Sequence, residues 1–215
     1  MRKSVILTLV GAVLVLAVAL AFAVDNVTNT KHDLSSGSTA YPVKGAGQLA
    51  ASNVDEICIF CHTPHAASAT MKPLWNHNAD AGAFTMYNSA WSSTIDETVE
   101  SPPGGVSAAC LACHDGATAM NSIINNSGTA PDNDAMITGA TTNLGKTLTN
   151  DHPISITYRT VDMAFNAAGT LSPLKLYSGK VECGSCHNPH DNTTAAPFLR
   201  MSNAASAMCL KCHIK

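Results

Sequence analysis

Residues 58–65 read "CIFCHTPH" and residues 183–190 read "CGSCHNPH". Both follow one pattern, C-x-x-C-H-x-P-H. The shorter unit C-x-x-C-H recurs twice more, as "CLACH" ending at His114 and "CLKCH" ending at His213. All eight cysteines therefore stand in pairs of one spacing: Cys58 and Cys61, Cys110 and Cys113, Cys183 and Cys186, Cys209 and Cys212. Each pair is followed at once by a histidine, His62, His114, His187 or His213. Eight cysteines in an exported chain would ordinarily suggest four disulfides. Paired C-x-x-C could also supply all-cysteine zinc sites or a thioredoxin-like dithiol. None of these requires the histidine, whose fourfold chance recurrence is on the order of a few in a million by frequency counting on the motif.

Covalent attachment of haem c does require it. Two thiols add across the two vinyl groups of the porphyrin, so the vinyl separation sets the cysteine spacing. The short turn between them then delivers the next imidazole beneath the iron. The expected cofactors are four covalently attached haems, with the eight cysteines as attachment points and His62, His114, His187 and His213 as proximal ligands. Their bulk accounts for an aromatic content of only 5%, and a chain built this way should not fold without them.

His65 and His190 each stand three residues beyond a proximal histidine. Three residues extend at most ~11 Å, too little to detour around a porphyrin edge, so His65 must serve another iron or none. Pro64 and Pro189 fix the direction of the chain at these positions. Five histidines remain once the four proximal ones are set aside: His32 ("KHDLS"), His65, His77 ("PLWNH"), His152 ("DHPIS") and His190. All five are candidate sixth ligands. Methionine is the rival ligand and would raise the potential, but no methionine lies in a repeated setting. Bis-histidine, low-spin, low-potential iron is expected. With every iron closed, no position is left for a substrate, which favours electron transfer over an enzyme.

The chain opens with Met1-Arg2-Lys3, an apolar run over 5–22 and the small-x-small sequence Ala21-Phe22-Ala23. This is the pattern of a secretory signal peptide spanning 1–23, with a retained membrane anchor as the alternative. Cleavage removes Arg2 and Lys3, leaving 12 − 2 = 10 basic against 15 acidic residues, a net charge of −5. Charged residues make up only 13% of the chain, against about 25% in a typical soluble domain. Such a bland surface suits burial against another molecule, and it lacks the clustered Lys and Arg that nucleic acid demands.

The motifs alternate between two types, so residues 24–215 read as one cytochrome domain built from tandem two-haem units, about 24–120 and 150–215. The first pair of motifs is separated by 52 residues (58 to 110) and the second by 26 (183 to 209). An insertion that includes "MKPLWNHNADAGAF" therefore belongs to the first unit. Residues 116–150, rich in Ser, Thr, Asn and Gly, read as surface loop. The expected fold is mostly irregular, with short α-helices at the attachment sites, little β beyond a possible strand at 154–161, and stacked haems as its core.

These segments together resemble the exported multihaem cytochromes with paired C-x-x-C-H motifs, most of all the tetrahaem, nanowire-forming extracellular cytochromes of metal-reducing bacteria. The resemblance implies a homopolymer in which a histidine of one subunit ligates a haem of the next, with His32, His65, His77, His152 and His190 competing for four places. It implies electron delivery to redox partner cytochromes or extracellular metal oxides, at the cell surface or beyond. A head-to-tail contact that does not close gives a filament. The alternative is a monomeric periplasmic carrier, which would commonly dock through charged patches.

Overall fold

The computed structural model describes residues 26–80, 82–126, 128–159 and 164–214. The signal segment 1–23 lies outside them. Regular structure is sparse and short. Helix α1 spans Gly105–His114, and the one-turn helices α2 (Cys183–Cys186) and α3 (Cys209–Cys212) coincide with attachment motifs, as does a 3₁₀ turn at Ile57–Phe60. Strands β1 (Thr85–Met86) and β2 (Thr147–Leu148) pair in parallel, while β3 (Ile156–Thr157) and β4 (Lys180–Val181) pair antiparallel. The chain is loop-rich, as expected.

Helix α1 is the longest element because Ala108, Ala109, Leu111 and Ala112 are strong helix formers and three of them are buried. It stops at Asp115-Gly116, where Gly116 takes φ +68°, the left-handed conformation that ends many helices. A Cβ at Gly116 would also lie 2.2 Å from the Asn143 side chain. The other attachment helices end at their histidines, His187 and His213, both of extended backbone.

Buried apolar residues form four small clusters, and two of them pack motif cysteines. Leu34, Ala51, Val54, Phe60 and Met120 pack against Cys61 and Cys113, while Tyr158, Leu171 and Leu174 pack against Cys212. Met71 packs with Ala109 and Ala112, and Met86 with Leu111 and Leu148, so α1, which also contributes Cys113 to the first, shares in three of the four.

The two attachment sequences of C-x-x-C-H-x-P-H type repeat further than their eight residues. In each, the chain leaves the histidine, turns, and returns antiparallel to it, with bridges His62↔Trp75 and His187↔Leu199. Leu74 and Phe198, just before the bridging residue, both have positive φ. Asn76 N–H then donates to Cys61 O, and Arg200 N–H to Cys186 O, each at 2.9 Å. "KPLWN" in the first unit is therefore the counterpart of "APFLR" in the second, and the extra length begins after Asn76. That insertion is tied down by ion pairs from Asp80 to Lys146, Asp96 to Arg159 and Glu100 to Lys180.

Apart from β2, the described residues of 116–150 are loop, but not merely surface. Asn125 N–H donates to Asn76 Oδ1 at 2.9 Å, and Ser52 N–H and Asn53 Nδ2 donate to Asp132 Oδ1 and Ala130 O. Asn133 is fully buried and donates to Leu49 O at 2.7 Å. Asn76, also 0% exposed, donates to Ile59 O at 2.6 Å and Asn125 O at 2.8 Å.

Replacing Asn76 with Ala strands two carbonyls and one N–H at about 1–3 kcal/mol each, not additively. Guanidinium unfolding of the haem-loaded protein should show a loss of about 2–4 kcal/mol; a loss under about 1 kcal/mol would mean that this junction does not hold the first motif.

Candidate haem-binding sites

None of the eight cysteines is in a disulfide. Among the described residues, no three of His, Cys, Asp and Glu converge as a metal-binding cluster, so the cysteines do not assemble into four-thiolate sites. They stand in twos, each two beside its histidine. The second and third motifs meet where α1 packs on α2, which brings Cys110 and Cys183 close to each other.

Each proximal imidazole is held from behind by a neighbouring segment. His62 Nδ1 meets Pro73 O at 2.8 Å, His187 Nδ1 meets Pro197 O at 3.2 Å, and His114 Nδ1 meets Thr142 O at 2.8 Å. Donation from Nδ1–H to a main-chain carbonyl fixes the ring plane and leaves Nε2 as the basic nitrogen, the arrangement that metal-ligating histidines use. In the first and third motifs the carbonyl belongs to the proline of the returning segment. His213 is bridged to Phe165, whose ring lies 4.8 Å away, and Ile214 N–H donates to Ala164 O at 2.8 Å. The Trp75 ring stands edge-on to His62 at 5.7 Å.

Of the five remaining histidines, the fold brings three against a proximal one. His32 faces His114 with ring centres 6.2 Å apart, His190 faces His62 at 6.1 Å, and His152 faces His213 at 6.4 Å. Burial, and secondarily the proximity of His114, push the His32 pKa down to about 4. Burial likewise lowers that of His187. Both rings are thereby kept in the neutral form that can bind a metal. The His152 Nδ1 contacts Pro153 O at 2.9 Å, so this ring too is oriented by a main-chain carbonyl.

His65 and His77 stand apart from these pairs. His77 is 0% exposed, with Nδ1 on Asn78 O at 2.7 Å and Nε2 enclosed by protein. His65 is exposed; its carbonyl accepts from Thr63 Oγ1 at 2.9 Å and from Asn125 Nδ2 at 3.3 Å. Its backbone is pinned while its ring projects. Methionine ligation finds no support at Met71, Met86 or Met120, which are buried in apolar clusters.

Residues 177–215, holding the third and fourth motifs, match the family model described as the doubled CXXCH motif. The match, confined to these residues, supports a multihaem c-type cytochrome. No curated protein matches the chain. The doubled motif implies an electron-transfer protein that binds haem c covalently; the cysteine pairs are the residues that would anchor the cofactor, and the carbonyl-oriented histidines those that would meet its iron. The returning segments at Pro73 and Pro197 are functional parts that the motif alone does not disclose. Their signal in the sequence is a proline ten or eleven residues past the proximal histidine, followed by an apolar pair.

Replacing Cys183 and Cys186 together with Ala should lower the intact mass of the matured protein by one haem, measured by mass spectrometry under denaturing conditions. Retention of the full covalent haem load would contradict the assignment of this pair as an attachment site.

Proposed function

We propose that the cytochrome carries four bis-histidine haems and polymerises head-to-tail into an extracellular filament that conducts electrons to external acceptors. When bound, haem c supplies a one-electron iron centre. The observation that carries the reading is the set of three histidine pairs. An imidazole nitrogen binds a first-row metal at about 2.0–2.1 Å and its ring centre lies ~1.2 Å behind that nitrogen, so two imidazoles across one metal have centres ~6.3 Å apart. The separations of 6.1, 6.2 and 6.4 Å fit this.

The pairs give His190 to the first motif, His32 to the second and His152 to the fourth. Among the described residues no imidazole ring lies against His187 of the third motif, although Pro197 orients it like the others. Two histidines remain to fill that place. His77 is buried within its own chain and offers no ring to a second copy. His65 is exposed on a pinned backbone. The two C-x-x-C-H-x-P-H motifs are equivalent, and His190 of one serves the other's proximal histidine, so the reciprocal partner of His187 is His65. Supplied by a second copy, His65 links subunit to subunit, and repetition of a contact that does not close makes a filament. An apolar leader at 1–23 with a cleavage sequence supports export, and the sparse charge suits extensive burial between copies. With each iron closed on both faces, the chain transfers electrons and performs no catalysis of its own.

His65→Ala should abolish filaments in electron micrographs and leave a haem-loaded monomer with one high-spin iron. Filaments that persist would move the inter-subunit role elsewhere. His77→Gln should leave the low-spin spectrum unchanged, whereas His190→Ala should convert one haem to high spin; a high-spin signal from the His77 variant alone would reverse the two assignments.

A further inference from the structure

Among the four glutamates of the chain, Glu182 is the buried one, 3% exposed and adjacent to Cys183. It lies between the second and third attachment motifs. Ser107 Oγ–H donates to its Oε2, and Ser155 Oγ–H donates to the same oxygen at 3.0 Å. Both serines are 0% exposed. The direction of these bonds is set by what feeds the serines. Cys183 N–H donates to Ser107 Oγ at 3.0 Å, and Gly104 N–H donates to Ser155 Oγ at 3.1 Å. Each hydroxyl has one proton, and with its oxygen already accepting, that proton goes to Glu182.

Two relays of main-chain N–H to hydroxyl to carboxylate thus converge on one oxygen. The other oxygen faces the start of α1: a Cβ built on Gly105 would lie 3.8 Å from Oε1. That is the positive end of a ten-residue helix, where an anion is favoured. Glu182 also stands at the N-cap of α2, where Ser185 N–H donates to Glu182 O at 2.8 Å and Ser185 Oγ accepts from Glu182 N–H at 2.9 Å. The pocket therefore offers donors and a helix dipole, and among the described residues it offers no cation. The Lys180 ammonium is engaged by Glu100. The Arg200 guanidinium lies on Gly184 O at 2.7 Å and Tyr177 Oη at 3.1 Å.

We propose that Glu182 is a positioning residue that acts on the electron-transfer centres in two ways. It holds the second and third attachment helices together, and as a fixed buried negative charge it lowers the reduction potentials of the haems anchored at Cys110 and Cys183. The helix contact follows from the shared serine, since Ser107 on α1 bonds both the carboxylate and the Cys183 amide. The potential follows from charge: a ferric haem carries one more positive charge than a ferrous one, so a nearby anion in a medium of low dielectric stabilises the ferric form. The inference rests on haem attachment at these motifs, which haem content measures separately from potential.

The test is a spectroelectrochemical titration of haem-loaded Glu182→Gln against the wild type. Glutamine keeps the shape and an accepting oxygen but removes the charge. With haem content unchanged, part of the titration should move to higher potential while the rest stays in place; superimposable titrations would overturn the electrostatic role. Should the variant not mature, the wild type decides alone. In redox-difference infrared spectra of protein carrying ¹³C-glutamate, reduction should shift an isotope-sensitive carboxylate band. Absence of any glutamate band would overturn the proposal.

Discussion

A proximal imidazole has two nitrogens, and the fold of this protein is arranged around which one is left free. Donating Nδ1–H to a main-chain carbonyl leaves Nε2 to meet the iron and sets the plane of the ring. The carbonyl must come from another segment, because the attachment turn itself is too short to double back. Pro73, Thr142 and Pro197 supply it for His62, His114 and His187. Much of the irregular chain exists to bring those carbonyls into place, and its buried polar residues, Asn76 and Asn133 among them, satisfy the backbone groups that no helix or sheet takes up.

The same constraint explains why the apolar core is divided. Phe60, Leu111 and Leu171 sit in separate clusters, two of which pack a motif cysteine. Each attachment helix is one turn, or at α1 a few turns, because its task ends at the histidine. The long Ser/Thr/Asn/Gly-rich stretch after the second motif reads as filler by composition. Yet its Thr142 carbonyl orients His114, and Asn125 and Asn133 brace the residues around the first motif.

What could be read from the sequence divides along these lines. Cysteine spacing is local chemistry, so the four attachment motifs, their short helices and the loop-rich character were legible from "CIFCH" and its copies. The repeat of "CHTPH" and "CHNPH" marked His65 and His190 as special. Which histidine faces which could not be read, since His190 and His62 stand 128 positions apart (190 − 62) with no sequence periodicity to relate them. "KPLWN" looked like inserted sequence because its counterpart "APFLR" shares only the proline; the equivalence lies in backbone conformation at Leu74 and Phe198. Glu182 gave no signal at all, because a lone glutamate before a cysteine says nothing of serines 27 and 75 positions away.

In the proposed filament, the reciprocity of the two longer motifs turns local geometry into assembly. His190 of one lies against the other's proximal histidine, His62, while His65 is exposed and, among the described residues, no imidazole ring lies against His187. Electron microscopy of the natively secreted, haem-loaded protein tests this most directly. Long filaments of repeating subunits are predicted, with His65 at each junction. Only compact particles of monomer size, at high concentration and across several pH values, would contradict it and leave a soluble carrier.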